Sequence, residues 1–117
     1  MITQRYDLDM VPGRQDLKIP LSQHDDNFSL VFDLYASTGE FAIPSGTTAQ
    51  IVGTLPNENK YTANATISGK TVTVKGDGSM TAVSGRGSFG IMLMNGEENR
   101  LTSSLFFIDV EPSADGR

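Results

Sequence analysis

The chain has 117 residues, a net charge of −5, 38% apolar residues, one histidine and no cysteine. That length fits one domain with one core; the acidic balance (pI about 4.6) argues against a nucleic-acid or acidic-membrane partner. Without cysteine there are no disulfides, thiolate metal sites or cysteine nucleophiles, and no apolar run reaches transmembrane length.

Residues Ile2 to Met10 alternate loosely, with Tyr6, Leu8 and Met10 against Arg5, Asp7 and Asp9, which predicts a strand. The opening residues contain no apolar leader region, so no signal peptide is expected. Val11-Pro12-Gly13-Arg14 has type II turn chemistry. Leu17, Ile19 and Leu21 alternate next, and Pro20 within the run points to a sheet edge or a strand break there. After a polar turn from Gln23 to Asn27, Phe28 to Tyr35 is the strongest single strand, with Phe28, Leu30, Phe32 and Leu34 on one face.

Ala36 to Gly46 is irregular and ends in Ile43-Pro44-Ser45-Gly46, the pattern of a type I turn. Thr47 to Thr54 returns to strand, and Pro56 to Asn59 turns into the clearest signal in the chain. From Tyr61 to Gly76 two alternating runs flank Gly69-Lys70, which predicts a hairpin with Gly69 first in a type II′ turn. That register sets Ile67 opposite Val72, Thr66 opposite Thr73 and Ala65 opposite Val74. Asp77 to Gly85, including Met80 to Val83, reads as an arch or short helical turn. It leads to a strand from Arg86 to Met94, a hairpin loop opening at Asn95-Gly96 with Glu97 and Glu98 at its tip, and a closing strand from Arg100 to Val110. Residues 1–111 therefore read as one all-β domain, an immunoglobulin-like β-sandwich of roughly seven to eight antiparallel strands, with a tail over 112–117.

Catalytic chemistry is absent from the pattern. His24 lies in a polar turn with Asp25 and Asp26, too few ligands for an ion. Asp7 and Asp9 with Asp16, Asp25 or Asp26 lack the spacing of a calcium loop. The run from Gly85 to Gly90 only superficially resembles a phosphate loop, since no strand-to-helix context surrounds it. No cofactor is implied, and the chain is not expected to be an enzyme. One feature exceeds that of a plain sandwich: both faces of the last two strands are apolar. Met92 and Met94 oppose Phe89, Ile91 and Leu93, and Leu105 and Phe107 oppose Phe106 and Ile108. Either another segment of the chain covers this second face or it docks a partner, because apolar area on a small acidic domain calls for a cover; on the docking reading Met92, Met94, Phe106 and Ile108 are the partner-binding candidates.

Several short stretches occur in a familiar order: Leu17-Lys18-Ile19-Pro20-Leu21, Ile43-Pro44-Ser45-Gly46-Thr47-Thr48-Ala49, and Ala65-Thr66-Ile67-Ser68-Gly69-Lys70-Thr71-Val72. They are followed by Met80-Thr81-Ala82-Val83-Ser84-Gly85, Leu101-Thr102-Ser103 and Phe107-Ile108-Asp109-Val110-Glu111-Pro112. In this order the sequence resembles the N-terminal domain of phage baseplate upper proteins, from tailed phages and prophages of Gram-positive bacteria. The resemblance implies a virion structural protein, assembled in the host cytoplasm, that anchors a baseplate, tail or fibre component by docking to other phage structural proteins. It also implies a homo-oligomer in the particle, with neither nucleic acid nor membrane as partner. Such proteins continue into a helical or fibrous region, whereas this sequence stops at Arg117, which leaves baseplate and capsid both open as the docking site. Two other readings stand beside it: a capsid decoration or head-fibre anchor protein, and a carbohydrate-binding module using Tyr6, Tyr35 or Tyr61.

Overall fold

A computed structural model describes residues 2–11, 14–37, 39, 41–96 and 99–112. The Pro12-Gly13 turn, the Glu97-Glu98 hairpin tip and the tail beyond Pro112 lie outside the described residues. Among the described residues there is no helix. The strands are β1 (Ile2–Asp9), β2 (Arg14–Ser22), β3 (Phe28–Tyr35), β4 (Thr48–Thr54), β5 (Lys60–Ser68), β6 (Thr71–Lys75), β7 (Gly85–Asn95), β8 (Asn99–Thr102) and β9 (Leu105–Glu111).

They make one mixed sheet in the order β1-β3-β6-β5-β4-β7-β9-β2, with β8 beside β7. The strand that bends this sheet is β5. Its last residues, Thr66 to Ser68, pair with β6, while Lys60 to Ala65 pair with β4. The expected hairpin register is present for Thr66↔Thr73 and Ile67↔Val72. Ala65 departs from expectation: it pairs with Ala49 instead of Val74, because β5 has already changed partners. The sheet therefore curls into a half-barrel whose two halves face each other. Across the interior the rings of Phe32 on β3 and Phe106 on β9 have centroids 5.0 Å apart. Leu8, Ile19, Leu30, Phe32, Ile51, Val72, Phe89, Ile91 and Phe106 are all fully buried in this space.

The class is all-β, but an immunoglobulin-like sandwich of antiparallel strands does not describe it. Two pairings, β1 with β3 and β2 with β9, are parallel. The physical reason lies in β1 and β2: consecutive in sequence, they do not pair with each other as a hairpin but form the two edges of the curled sheet. Leu8 and Met10 then bury from one wall, and Ile19 and Leu21 from the other. The edges approach at a seam where the Gln4 side chain donates to the Pro20 carbonyl (3.2 Å). At the end of β1, Met10 N–H donates to Tyr35 (2.7 Å), and Asp9 carbonyl accepts from Ser104 N–H (2.9 Å), which ties the two walls together. Pro20 lies in an edge strand, where its missing N–H is tolerated.

One turn lies a residue later than its sequence pattern predicts. Thr47 N–H donates to Pro44 carbonyl (3.3 Å), and Gly46 has φ +84°. Gly46 thus occupies the third position of a type II turn, where a left-handed φ is required.

Candidate functional site

The outer surfaces of the two walls differ in chemistry. On the β1-β3-β6 wall the outward side chains are largely polar, with Val31 covered among them and Tyr35 exposed at the end of β3. Arg5 makes a two-pronged ion pair with Asp33 (2.7 Å for both bonds), and Thr71 donates to the same carboxylate (3.0 Å). On the β4-β7-β9 wall the outward side chains include a larger apolar group, set among Thr48, Gln50, Thr54 and Ser88: Val52, Met92, Met94 and Phe107 are half-buried, and Leu105 is 40% exposed. Strand pairing makes them neighbours. Val52 sits across from Gly90, and Phe107 across from Ser88. Gly90 between them is buried, covered by Ser103, Thr102 and Leu105, whose side chains a β-carbon there would meet at 3.4 to 3.8 Å.

Phe106 and Ile108 do not belong to this surface. They are 0% and 1% exposed, in the core. The cause is a one-residue bulge at Ser103-Ser104. Before it Met92 pairs with Thr102; after it Phe89 pairs with Phe106, so the count across the two strands has moved by one. Because side chains alternate with period two, that single residue exchanges the faces of all of β9. Phe106 and Ile108 turn inward, and Leu105 and Phe107 turn outward beside Met92. The sequence carried one mark of this bulge, the polar pair Ser103-Ser104 within an apolar strand.

Charge also distinguishes this wall. Arg86 holds Asp109 with two bonds (2.6 and 3.0 Å), and its guanidinium lies 5.0 Å from the Phe107 ring centroid. That hydrogen-bonded ion pair holds the Asp109 carboxyl below its ordinary value. Lys18 is paired with Phe107, Lys60 with Thr54, and Arg100 with Met94, so cations border the apolar stripe on three sides. A separate cleft of about 470 Å³ opens where β7 meets β8, lined by Phe41, Pro44, Leu93, Arg100 and Leu101.

The other sequence candidates are dispersed. Asp9 sits at the far end of β1, where its carboxylate accepts from Val11 N–H (3.0 Å) and Ser37 N–H (3.2 Å). Asp25 is in the turn after β2, accepting from Ser22 N–H (3.0 Å). These two aspartates cap turns at opposite ends of the fold, and no group of three metal-ligating side chains occurs among the described residues. Tyr61 is buried and donates to Asp77 (2.9 Å), and Tyr6 is half-buried with its hydroxyl on Gln4. Tyr35 is exposed but has no second tyrosine beside it to form a stacking platform.

No known family profile matches the chain, and no curated protein matches it in sequence. Among solved structures, the N-terminal domain of phage TP901-1 ORF48 matches with a TM-score of 0.71 at 13% identity, over 95% of this chain and 99% of that one. The chain has the fold of that phage domain. Coverage is nearly complete in both directions, so the likeness extends over the fold as a whole.

Proposed function

We propose that this chain is a phage structural protein that works by docking, as an adaptor domain joining a baseplate, tail or fibre component to the particle. On this reading residues 1–111 are the docking domain, 112–117 are a tail, and the protein resides in the virion. Support comes from two directions: the ordered sequence stretches and the fold of a phage domain. The observation that carries the docking surface is the contrast between the two walls. One is largely polar and held by the Arg5–Asp33–Thr71 bonds, with Val31 covered within it, and the other presents a larger apolar group of Val52, Met92, Met94, Leu105 and Phe107. Methionines suit such a surface because their unbranched side chains adapt to an irregular partner.

The test is particle incorporation. Met92→Glu with Met94→Glu leaves the fold intact, seen as an unchanged circular dichroism spectrum and a cooperative melt, and removes the protein from purified particles. Normal incorporation of the folded double variant would move docking to another surface. Absence of the unaltered protein from purified virions would end the phage reading.

A further inference from the structure

We infer that the basic-rimmed apolar wall accepts the acidic end of a second copy of this chain, head to tail. This rests on the docking reading of that wall and names an occupant for it. Among the described residues the wall carries Lys18, Lys60, Arg86 and Arg100 against Asp109 and Glu111, a positive surplus on a chain whose net charge is −5. Two such walls placed face to face would repel, so a symmetric pairing through this surface is disfavoured. A head-to-tail contact needs a complementary surface elsewhere on the same molecule.

The fold supplies one at the end where β2 and β9 finish together at Ser22 and Glu111. The turn after β2 is fastened there to the segment before β7. His24 N–H donates to Thr81 carbonyl (3.1 Å), the Gln23 side chain to Ala82 carbonyl (3.0 Å), and Thr81 hydroxyl to Asp25 carbonyl (2.6 Å). This end gathers Asp25, Asp26, Glu58 and Asp77 against Lys75, around Pro56, Ala82 and Val83. This end is acidic on balance, with Lys60 beside Glu58 and Arg86 near Pro56 where it adjoins the wall, and it stands against the positive surplus of the wall itself.

With its basic rim on β5 and β2 the wall spans the five strands β5-β4-β7-β9-β2, roughly 20 Å at a spacing of about 4.8 Å, and the apolar stripe is of similar length along β7. That is on the order of 400 Å², about half of one partner's share in a standard interface. The contact is therefore weak between two free molecules and gains strength where many copies are held together.

Sedimentation velocity over a concentration series up to about 1 mM tests this, with roughly 50 mM and 500 mM salt as the two conditions. Unaltered protein self-associates at low salt, and the association weakens by about tenfold or more at high salt. Lys60→Glu with Arg100→Glu is monomeric, and so is Asp26→Lys with Glu58→Lys; all four positions are exposed. Mixing the two double variants restores association, because the reversed wall of one fits the reversed end of the other. Unaltered protein that stays monomeric, association indifferent to salt, or a mixture that stays monomeric each overturns the inference. A monomeric protein whose incorporation into particles still depends on Met92 and Met94 retires the self-contact alone and leaves the docking reading standing.

Discussion

Gly69 shows how a single residue sets a register. Its φ is +61° while Lys70 stays out of the left-handed region, the combination of a type II′ turn. Nothing lies within 4 Å of where a β-carbon would sit, so a side chain there meets backbone strain and no clash. Gly69→Val is expected to cost about 1–3 kcal/mol in urea unfolding. Asn, which tolerates left-handed backbone better, is expected to cost less; a neutral Val variant would show that the turn can relax. This turn was legible because two clean alternating runs bracket it. The glycines beside Phe89 were not. A β-carbon on Gly53 or Gly87 would come within 2.4 and 2.6 Å of the Phe89 ring, so both residues make room for it. That need appears only once β4, β7 and the ring are assembled, and in the sequence Gly87 belonged to a run with a false likeness to a phosphate loop.

Strand by strand, the alternation located nearly every element but could not say which strands would be neighbours. Period two reports that one face is buried, and the hairpin β5-β6 adds a partner because its turn is local. Neither the parallel placement of β1 beside β3 nor that of β2 beside β9 leaves a local signal, since both partners are remote in sequence. The bulge between β8 and β9 had the largest consequence for the site, because it decides which apolar residues face outward. Ser103 holds it together. Its N–H donates to Ile91 carbonyl (2.8 Å), its hydroxyl accepts from Ile91 N–H (2.9 Å), and the same hydroxyl donates to Ser104 carbonyl (2.8 Å). The side chain thus replaces the backbone acceptor that the extra residue displaced, at a site only 4% exposed. Ser103→Ala would leave the Ile91 N–H buried without that acceptor. The expected cost is about 1–3 kcal/mol, measured by urea unfolding with wild-type slope; an unchanged midpoint would mean that Ile91 finds another acceptor.

Over the whole molecule, the ionisable groups that bind one element to another predict how stability varies with pH. Asp33 is held below its ordinary value by hydrogen bonds from Arg5 against the opposing effect of desolvation, and joins β1, β3 and β6. Asp109, held down by Arg86, joins β7 and β9. Asp9, lowered by the Val11 N–H, ties the end of β1 to the loop after β3. At Asp77, burial pushes upward, but donors from Ser79, Tyr61 and Met80 outweigh it and the carboxyl is lowered. A lowered carboxyl contributes stability above its unfolded value, about 3.9, and loses it as pH falls through the folded value. Solvent screening keeps each exposed pair's share small, but the losses fall on every wall at once. Tyr61 acts in the other direction. Burial first, and then its bond to Asp77, pushes its hydroxyl up to about 12. Its contribution is complete below the unfolded value near 10 and disappears as pH rises from there toward the folded value. Melting temperature is therefore expected to be level from about pH 5 to 9, to fall below about 4 and to fall again above about 10. Tyr61→Phe removes one titrating group and one donor to Asp77. It should make the alkaline fall shallower while leaving the burial-raised Tyr6 to contribute the remainder, and, because Asp77 loses a donor that lowers it, it should make the acid fall smaller with the same onset. An alkaline limb identical in the two proteins would show that Tyr61 ionises without loosening the contact between β5 and the segment leading to β7.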